Sequence, residues 1–382
     1  MAAPLIIEAV QPVWGCRCGR SLPRMAIVND GHPGARNREV DFPKVVISKE
    51  TLRPPSFERD VQYVEFREDP LTGRRCRLNG RRAGRIKQVR HTPVPAEISG
   101  KQEGCPFCPE NIEQAVTKFD PGFYAGGRIR KGECCLFPNM FPLGRHHVAA
   151  TLCTSHFLDL DEFSTGMVAD CMMAGGQFLS LVHKHDPDAR YPMLHWNHLS
   201  PSAASVVHPH VQVLADVRPT SYQETLLEAS REYYGRIGRS FWKDILDEER
   251  QRGERYIGEN ESVAAVASFA PQGNREVQII FKGTSNLGDL GDGEIAGFAD
   301  CVVRLLKAYK GMGVNSFNMS TFSGPVGDKP GYYSLHAKLI SRPVLEPFYR
   351  NDTGILERFH READIEVMPE SFAESARQFW GR

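Results

Sequence analysis

No stretch of this sequence is apolar for long enough to span a bilayer, and neither sign of charge is in surplus: Lys+Arg and Asp+Glu each number 47 among 382 residues. The first absence excludes a membrane-spanning helix within the chain. The second removes the global attraction to nucleic acid or to an anionic membrane surface. The opening Met-Ala-Ala-Pro-Leu-Ile-Ile-Glu holds an apolar run too short for a signal peptide, with no basic flank before it. A cytoplasmic location is therefore expected, with neither nucleic acid nor membrane as partner. Also missing is the even cysteine framework of a small secreted fold. The ten cysteines include the adjacent Cys134-Cys135 and Cys105/Cys108 at metal-ligand spacing, and they read as thiols and ligands. What is present is a globular composition, 41% hydrophobic, in a chain with room for two domains.

The front of the chain, residues 1–60, is rich in Pro, Gly and charge, with Pro33-Gly34 and Pro54-Pro55 as breakers, and is expected to be an irregular extension. Within it, Cys16 and Cys18 read as ordinary thiols. Val64-Glu65-Phe66 then reads as a short strand and Asp69-Pro70-Leu71-Thr72-Gly73 as a turn. A basic run follows, Arg74, Arg75, Arg77, Arg81, Arg82, Arg85, Lys87 and Arg90, with no acid among them. Guanidinium forks match phosphate oxygens, and without interleaved aromatics the run points to a small anionic ligand rather than nucleic acid. Cys105-Pro106-Phe107-Cys108 is a C-x2-C knuckle that needs two more ligands to close a zinc tetrahedron. His146, His147, His156, His195, His198, His208 and His210 are all candidates, and composition does not choose among them.

From Val148 a strand is expected, then Thr154-Ser155-His156, a helix start at Asp159-Leu160-Asp161-Glu162, a helix around Met167–Val182, and a strand over Pro192–Trp196. A Ser/Ala loop delivers the chain to His208. Ser221–Tyr256 is a long amphipathic helical stretch with short breaks. The second half repeats the first: Thr154-Ser155-His156 is matched by Thr284-Ser285-Asn286, and an Ala-Asp-Cys tripeptide follows each at 169 and 299, 15 residues on (169 − 154 and 299 − 284). Spacing alone aligns His336 with His208 and Lys338 with His210. Copy one, residues 61–218, then holds the chemistry, and copy two, within 219–382 after the connecting helices, is degenerate.

The stretch that carries chemistry is His208-Pro209-His210-Val211-Gln212. In a strand, alternate side chains share a face, so both histidines and the glutamine project together. A neutral imidazole is a good nucleophile toward phosphorus and a tolerable leaving group, provided its other nitrogen is held by an acceptor. Gln212 can donate to a phosphoryl oxygen, and His208 can tether the strand to a metal.

With these residues in view, the chain from about Glu65 onward resembles the galactose-1-phosphate uridylyltransferase family of the histidine-triad superfamily. Asp69–Gly73 is similar to the family's opening turn, Arg82-Ala83-Gly84-Arg85 to its paired arginines, and Asn139-Met140-Phe141-Pro142 to its nucleoside-contacting segment. The resemblance implies a duplicated α+β histidine-triad-like fold, antiparallel sheets with flanking helices, and a homodimer. It implies structural zinc on Cys105, Cys108, His156 and His208. It makes His210 the nucleophile, with Gln212 and Ser205 in support, and Arg82, Arg85, Asn139, Phe141 and Asn197 substrate-binding. The expected activity is transfer of a nucleoside monophosphate from a nucleotide sugar to a sugar 1-phosphate, in carbohydrate metabolism, through a covalent nucleotidyl-histidine. A phosphorylase or hydrolase of nucleotide sugars or dinucleoside polyphosphates uses the same nucleophile. A non-catalytic zinc-stabilised nucleotide-binding protein is a third reading, motivated by the degenerate copy. The sequence departs from the family at Val211, where glycine is common, and at Phe322 and Lys338, where some members place ligands of a second metal. Residues 339–350 do not reproduce the segment that grips the sugar.

Overall fold

The computed structural model describes residues 25–27, 40–84, 96–100, 104–345 and 351–380. A smaller sheet starts with β1 (Met25–Ile27), β2 (Lys44–Arg53), β3 (Glu58–Glu68) and β4 (Arg75–Leu78), each antiparallel to the one before. β2 and β3 pair without a break from Lys44↔Arg67 to Arg53↔Glu58. The 1–60 segment expected to be irregular is thus a strand over Lys44–Arg53, and the boundary at 60/61 falls inside β3. Pro54-Pro55 is where the hairpin turns. The strand escapes a pattern search because neither of its faces is buried, so nothing selects apolar–polar alternation.

The basic run is held by carboxylates from elsewhere in the chain. Arg81 pairs with Asp60 (2.6 Å), Arg77 with Glu362 (2.7 Å) and Arg82 with Asp364 (2.5 Å), while Arg74 donates to the Ala270 carbonyl (2.7 Å). These four arginines fasten the smaller sheet; Arg85, Lys87 and Arg90 lie outside the described residues. Counting acids locally could not reveal this, because two of the partners lie some 280 residues away.

After two single turns, α1 (Ala96–Ser99) and α2 (Ile112–Ala115), the first repeat runs β5 (Ile129–Lys131), β6 (Cys134–Pro138), β7 (His146–Thr151), α3 (Thr165–His185), β8 (Tyr191–His198) and β9 (His210–Asp216). Ser164, not Asp159–Glu162, starts α3, its hydroxyl accepting from the Met167 N–H (3.3 Å). The expected helical stretch is two helices, α4 (Ser221–Ile237) and α5 (Phe241–Arg252), each stopped by a glycine in the left-handed region, Gly238 and Gly253. The second repeat is β10 (Tyr256–Glu259), β11 (Val263–Ala267), β12 (Val277–Phe281), α6 (Asp292–Gly311), β13 (Phe317–Phe322) and β14 (His336–Ser341). The chain closes with β15 (Ala363–Ile365), parallel to β4, and α7 (Pro369–Arg377). No helix among the described residues is long and apolar enough to cross a membrane.

The large sheet has the order β10-β11-β12-β14-β13-β8-β9-β7-β6-β5, so its two halves are mirror lists joined where β13 pairs with β8. This is the expected duplicated α+β fold. Its register corrects the alignment of the copies. Thr151↔His210 in the first half is matched by Ile280↔His336 in the second, and Leu152 N→Pro209 O by Phe281 N→Leu335 O. Each histidine also holds the carbonyl two residues before it, His210 that of His208 (2.8 Å) and His336 that of Ser334 (3.1 Å). His336 therefore stands in the place of His210, Lys338 in that of Gln212 and Ser334 in that of His208. Spacing misplaced them by two residues because the connecting segments differ in length.

Helices α3 and α6 cover one face of the sheet in a shared core. On the other face α4 and α5 cover only the second half, where Leu226, Trp242 and Ile245 pack on Ala264, Val266 and Ile280. There His336 is sandwiched between Trp242 (4.1 Å) and Phe322 (5.1 Å). On the first half that face is met by the single turn α2, whose Ile112 clusters with Cys135, Phe137 and Ala149, and beside them runs the His210 strand.

Candidate functional site

The site is built on β7, β8 and β9, and the β7–β9 ladder brings together residues about 60 to 70 apart in sequence. The β8–β9 ladder ends at His195↔Gln212; Asn197 lies two residues further along β8 and His210 two residues back along β9. All four side chains therefore share the open face, as strand alternation requires.

His208 joins a buried cluster with Cys105, Cys108 and His156, whose donor atoms all lie within 4.8 Å of one another. Cys108 Sγ sits 3.4 Å from His156 Nδ1 and 3.7 Å from His208 Nδ1. His208 Nε2 donates to the Cys153 carbonyl (2.9 Å), which leaves Nδ1 bare, as a metal ligand must be. Two thiols and two imidazoles, buried and converging, fit a tetrahedral zinc ion, and four protein ligands leave no open position for a substrate. Of the seven candidate histidines, His156 and His208 join the cluster. His146 instead pairs with Asp186 (2.6 Å), and His198 is fully buried against Phe317 on the opposite face of the sheet.

His210 opens β9 with its ring almost buried. Burial holds its pKa below the usual histidine range, so the ring is neutral at pH 7. Its Nδ1–H donates to the His208 carbonyl (2.8 Å), which fixes the tautomer and leaves the Nε2 lone pair for a ligand. Phe107, from the Cys105/Cys108 knuckle, meets the ring edge-on at 5.3 Å. The Cys/His cluster thus reaches His210 both along the chain, through His208, and through this aromatic. Gln212 Oε1 takes His147 Nε2 (2.7 Å) and Asn139 Nδ2 (3.1 Å). Asn139 Oδ1 in turn accepts from the Phe141 N–H (2.9 Å), and the Phe141 ring is 79% exposed at the rim.

Ser205 is exposed in the loop between β8 and β9. That loop holds two non-glycine residues at positive φ, Leu199 (φ 66°, ψ 166°) and Ala203 (φ 69°, ψ 22°), a conformation that costs roughly 1–3 kcal/mol per residue. Arg82 is engaged with Asp364 in the smaller sheet, and Arg85 lies outside the described residues. Three residues that the motif did not single out meet this face: His147, Phe107 and Asn318 on β13, whose Nδ2 lies 2.6 Å from Asn197 Oδ1. The signal for His147 is period-two placement: it is two residues before Ala149, which faces Gln212 across β7 and β9. Asn318 carries no such signal, because its strand pairing joins the two halves.

No family model matches the chain. An uncharacterised protein of Archaeoglobus fulgidus is 28% identical over 343 residues, which span 89% of this chain and 99% of that protein. Among solved structures, an ADP-glucose phosphorylase from Arabidopsis thaliana with bound ADP-glucose superposes with a TM-score of 0.65 at 17% identity, over 82% of this chain and 99% of that one. A galactose-1-phosphate uridylyltransferase-like (GalT-like) protein from Arabidopsis thaliana gives a TM-score of 0.63 at 17% identity, over 82% and 98%. A uridylyltransferase gives 0.62 at 20% identity, over 82% and 97%. The chain shares the fold of these phosphorylase and uridylyltransferase structures.

Proposed function

We propose that this chain is a nucleotidyltransferase that carries a nucleoside monophosphate on His210, taken from a nucleotide sugar. The observation that carries the reading is the state of His210: neutral, its Nδ1–H spent on the His208 carbonyl, and its Nε2 turned to a face lined by Asn197 and Gln212. In the first step Nε2 attacks the α-phosphorus, a P–N bond forms, and the bond from phosphorus to the bridging oxygen breaks. A sugar phosphate leaves with that electron pair. The imidazole gains positive charge, which the His208 carbonyl stabilises at Nδ1. In the second step an acceptor phosphate oxygen attacks phosphorus and the P–N bond breaks. Gln212, and Ser205 on its loop, donate to the non-bridging oxygens as their charge grows. Asn139 and Phe141 hold the nucleoside at the rim.

Zinc on Cys105, Cys108, His156 and His208, when bound, supplies structure: it fixes the position of β9 two residues before the nucleophile. Arg82, which pairs with Asp364 in the smaller sheet, and Arg85 enter this reading as diphosphate ligands supplied by the second subunit of a homodimer. A second reading, in which inorganic phosphate is the acceptor, is favoured by the fold shared with the ADP-glucose phosphorylase.

The test is intact-protein mass after brief incubation with a panel of nucleotide sugars and no acceptor, beside His210→Ala. An acid-labile gain of one nucleoside monophosphate, absent from the variant, is the expected result. A His210→Ala protein that still turns over the donor overturns the reading. Offering a sugar phosphate, phosphate and water to the loaded enzyme separates transferase from phosphorylase and hydrolase.

A further inference from the structure

Two hydrogen-bonded chains end on the open face, and the direction of each is set by its first donor. One begins at Arg342, just past β14, which Asp352 holds through Nε (3.0 Å) and Nη2 (2.6 Å). A guanidinium can only donate, so the Asn318 atom that Arg342 Nη1 meets at 2.6 Å is the carbonyl oxygen. Asn318 Nδ2 then donates to Asn197 Oδ1 (2.6 Å) and to the Ser202 carbonyl (2.9 Å). With its oxygen so taken, Asn197 turns its NH2 the other way, and no described residue accepts from it. The other chain begins at the Leu143 backbone N–H, which also can only donate, 3.0 Å from His147 Nδ1. Burial keeps His147 neutral, so its proton is on Nε2 and goes to Gln212 Oε1 (2.7 Å). Gln212 too is left with its NH2 facing out, and no described residue accepts from it.

These ends are neighbours. Asn197 lies two residues beyond His195, the residue that faces Gln212 where the β8–β9 ladder ends, and His210 lies two residues before Gln212. An amide rotated by half a turn presents an acceptor in place of a donor, which repels a phosphoryl oxygen. Left alone, each side chain samples both orientations. Fixing both makes the surroundings of the nucleophile donor-only, a polarity suited to phosphate.

We propose that Asn318 and Arg342, supplied by the half that lacks the nucleophile, and His147 are positioning residues that lock the NH2 edges of Asn197 and Gln212 toward a phosphate group at His210. This rests on the reading of His210 as the nucleotide carrier, and it gives the second half a role in the chemistry of the first. Asn318→Asp tests it with little change of shape. The carboxylate still pairs with Arg342 but has no proton for Asn197, so Asn197 turns its NH2 to residue 318 and its oxygen to the ligand.

Two readings are taken on the full chain: the affinity for each of the four common ribonucleoside 5′-monophosphates against its own nucleoside, and the rate of adduct formation from nucleotide sugars. The nucleoside probes fold and base pocket; the ratio isolates the phosphate. Asn318→Asp is expected to cut the monophosphate-to-nucleoside ratio at least tenfold and the adduct rate by about 10²-fold, with nucleoside affinity unchanged. Arg342→Leu and His147→Phe lose the ratio in the same way, and Arg342→Lys, which keeps a donor for Asn318, restores most of it. An unchanged ratio in all three disruptive variants overturns the proposal, as does an equal loss for nucleoside and monophosphate. A wild-type protein that binds monophosphate but forms no adduct removes the nucleotide-carrier reading and leaves the ratio to decide this one. A wild-type protein that binds no monophosphate overturns both.

Discussion

Replacing His336 by phenylalanine should make the protein less sensitive to acid. His336 is fully buried between Trp242 (4.1 Å) and Phe322 (5.1 Å), and burial pushes its pKa down to about 3. In the unfolded chain a histidine titrates near 6.5. A depressed folded pKa means that the unfolded state takes up the proton first, so the stability contribution is fully present above pH 6.5 and is lost as pH falls below it. Between pH 7.5 and 5.5 the loss is about 1.4 kcal/mol, because one full pH unit below the unfolded pKa is one unit of RT ln 10, and the folded side, at about 3, does not yet titrate. Phenylalanine keeps the aromatic stack and cannot titrate. It forfeits the hydrogen bond from Nδ1 to the Ser334 carbonyl (3.1 Å), worth about 1 kcal/mol at any pH in this range. The assay is urea unfolding of zinc-loaded wild-type and His336→Phe proteins at pH 7.5 and 5.5, read as midpoints at constant m. The stability difference between the two proteins should shift by about 1.4 kcal/mol in favour of His336→Phe at the lower pH, so that the variant, the weaker protein at pH 7.5, draws level or passes wild type at pH 5.5. Every other titrating group, zinc ligands included, contributes to both proteins and cancels. Parallel profiles would refute the reasoning, since they would mean that His336 takes up its proton as readily folded as unfolded.

Gln212→Glu places a carboxylate where His147 and Asn139 still donate, but turns a negative oxygen toward the ligand; adduct formation should fall by about 10²–10³-fold with zinc content unchanged. Removing zinc with a chelator should lower stability by about 4 kcal/mol relative to protein held at a thousand times the zinc dissociation constant, measured by thermal or urea unfolding. Cys105→Ser should do the same without chelator, and should slow nucleotidylation in whatever fraction stays folded, since His208 lies two residues before His210, which opens β9. Trp242→Ala opens the cover over the second half and should cost about 3–5 kcal/mol, while the nucleotidylation rate per folded molecule stays near wild type; a proportional loss of rate would show that α5 acts on the site directly.

Periodicity and spacing reveal what is repeated or alternating and miss what is decided by pairing. Helix α3 and strand β8 are legible because one face of each is buried. Strand β2 is not, because it has no buried face. The cluster of Cys105, Cys108, His156 and His208 follows from the family resemblance, whereas spacing alone leaves seven histidines in play. His210 and Gln212 stand together as strand alternation demands. The duplication was legible in three short matches, but its register was not: the two-residue offset that sets His336 opposite Ile280 emerges only once the ladders form. Asn318 is absent from the sequence reading for the same reason, since nothing local ties residue 318 to residue 197. The carboxylate partners of Arg77 and Arg82 were not legible either, since Glu362 and Asp364 arrive through a parallel strand formed by the far end of the chain.

The pairing of β13 with β8, from Phe317↔His198 to Ser320↔His195, has a mechanical consequence. In proteins that close around a substrate, two lobes swing about a few linker residues. Here the lobes share a continuous ladder, and rotating one against the other would tear backbone bonds at the centre of a ten-stranded sheet. The floor under the nucleophile is therefore stiff. Any adjustment to an incoming or departing ligand falls to the rim, to the segment carrying Phe141 and to the strained turn at Leu199–Ala203, which can yield while the anion cradle keeps its shape.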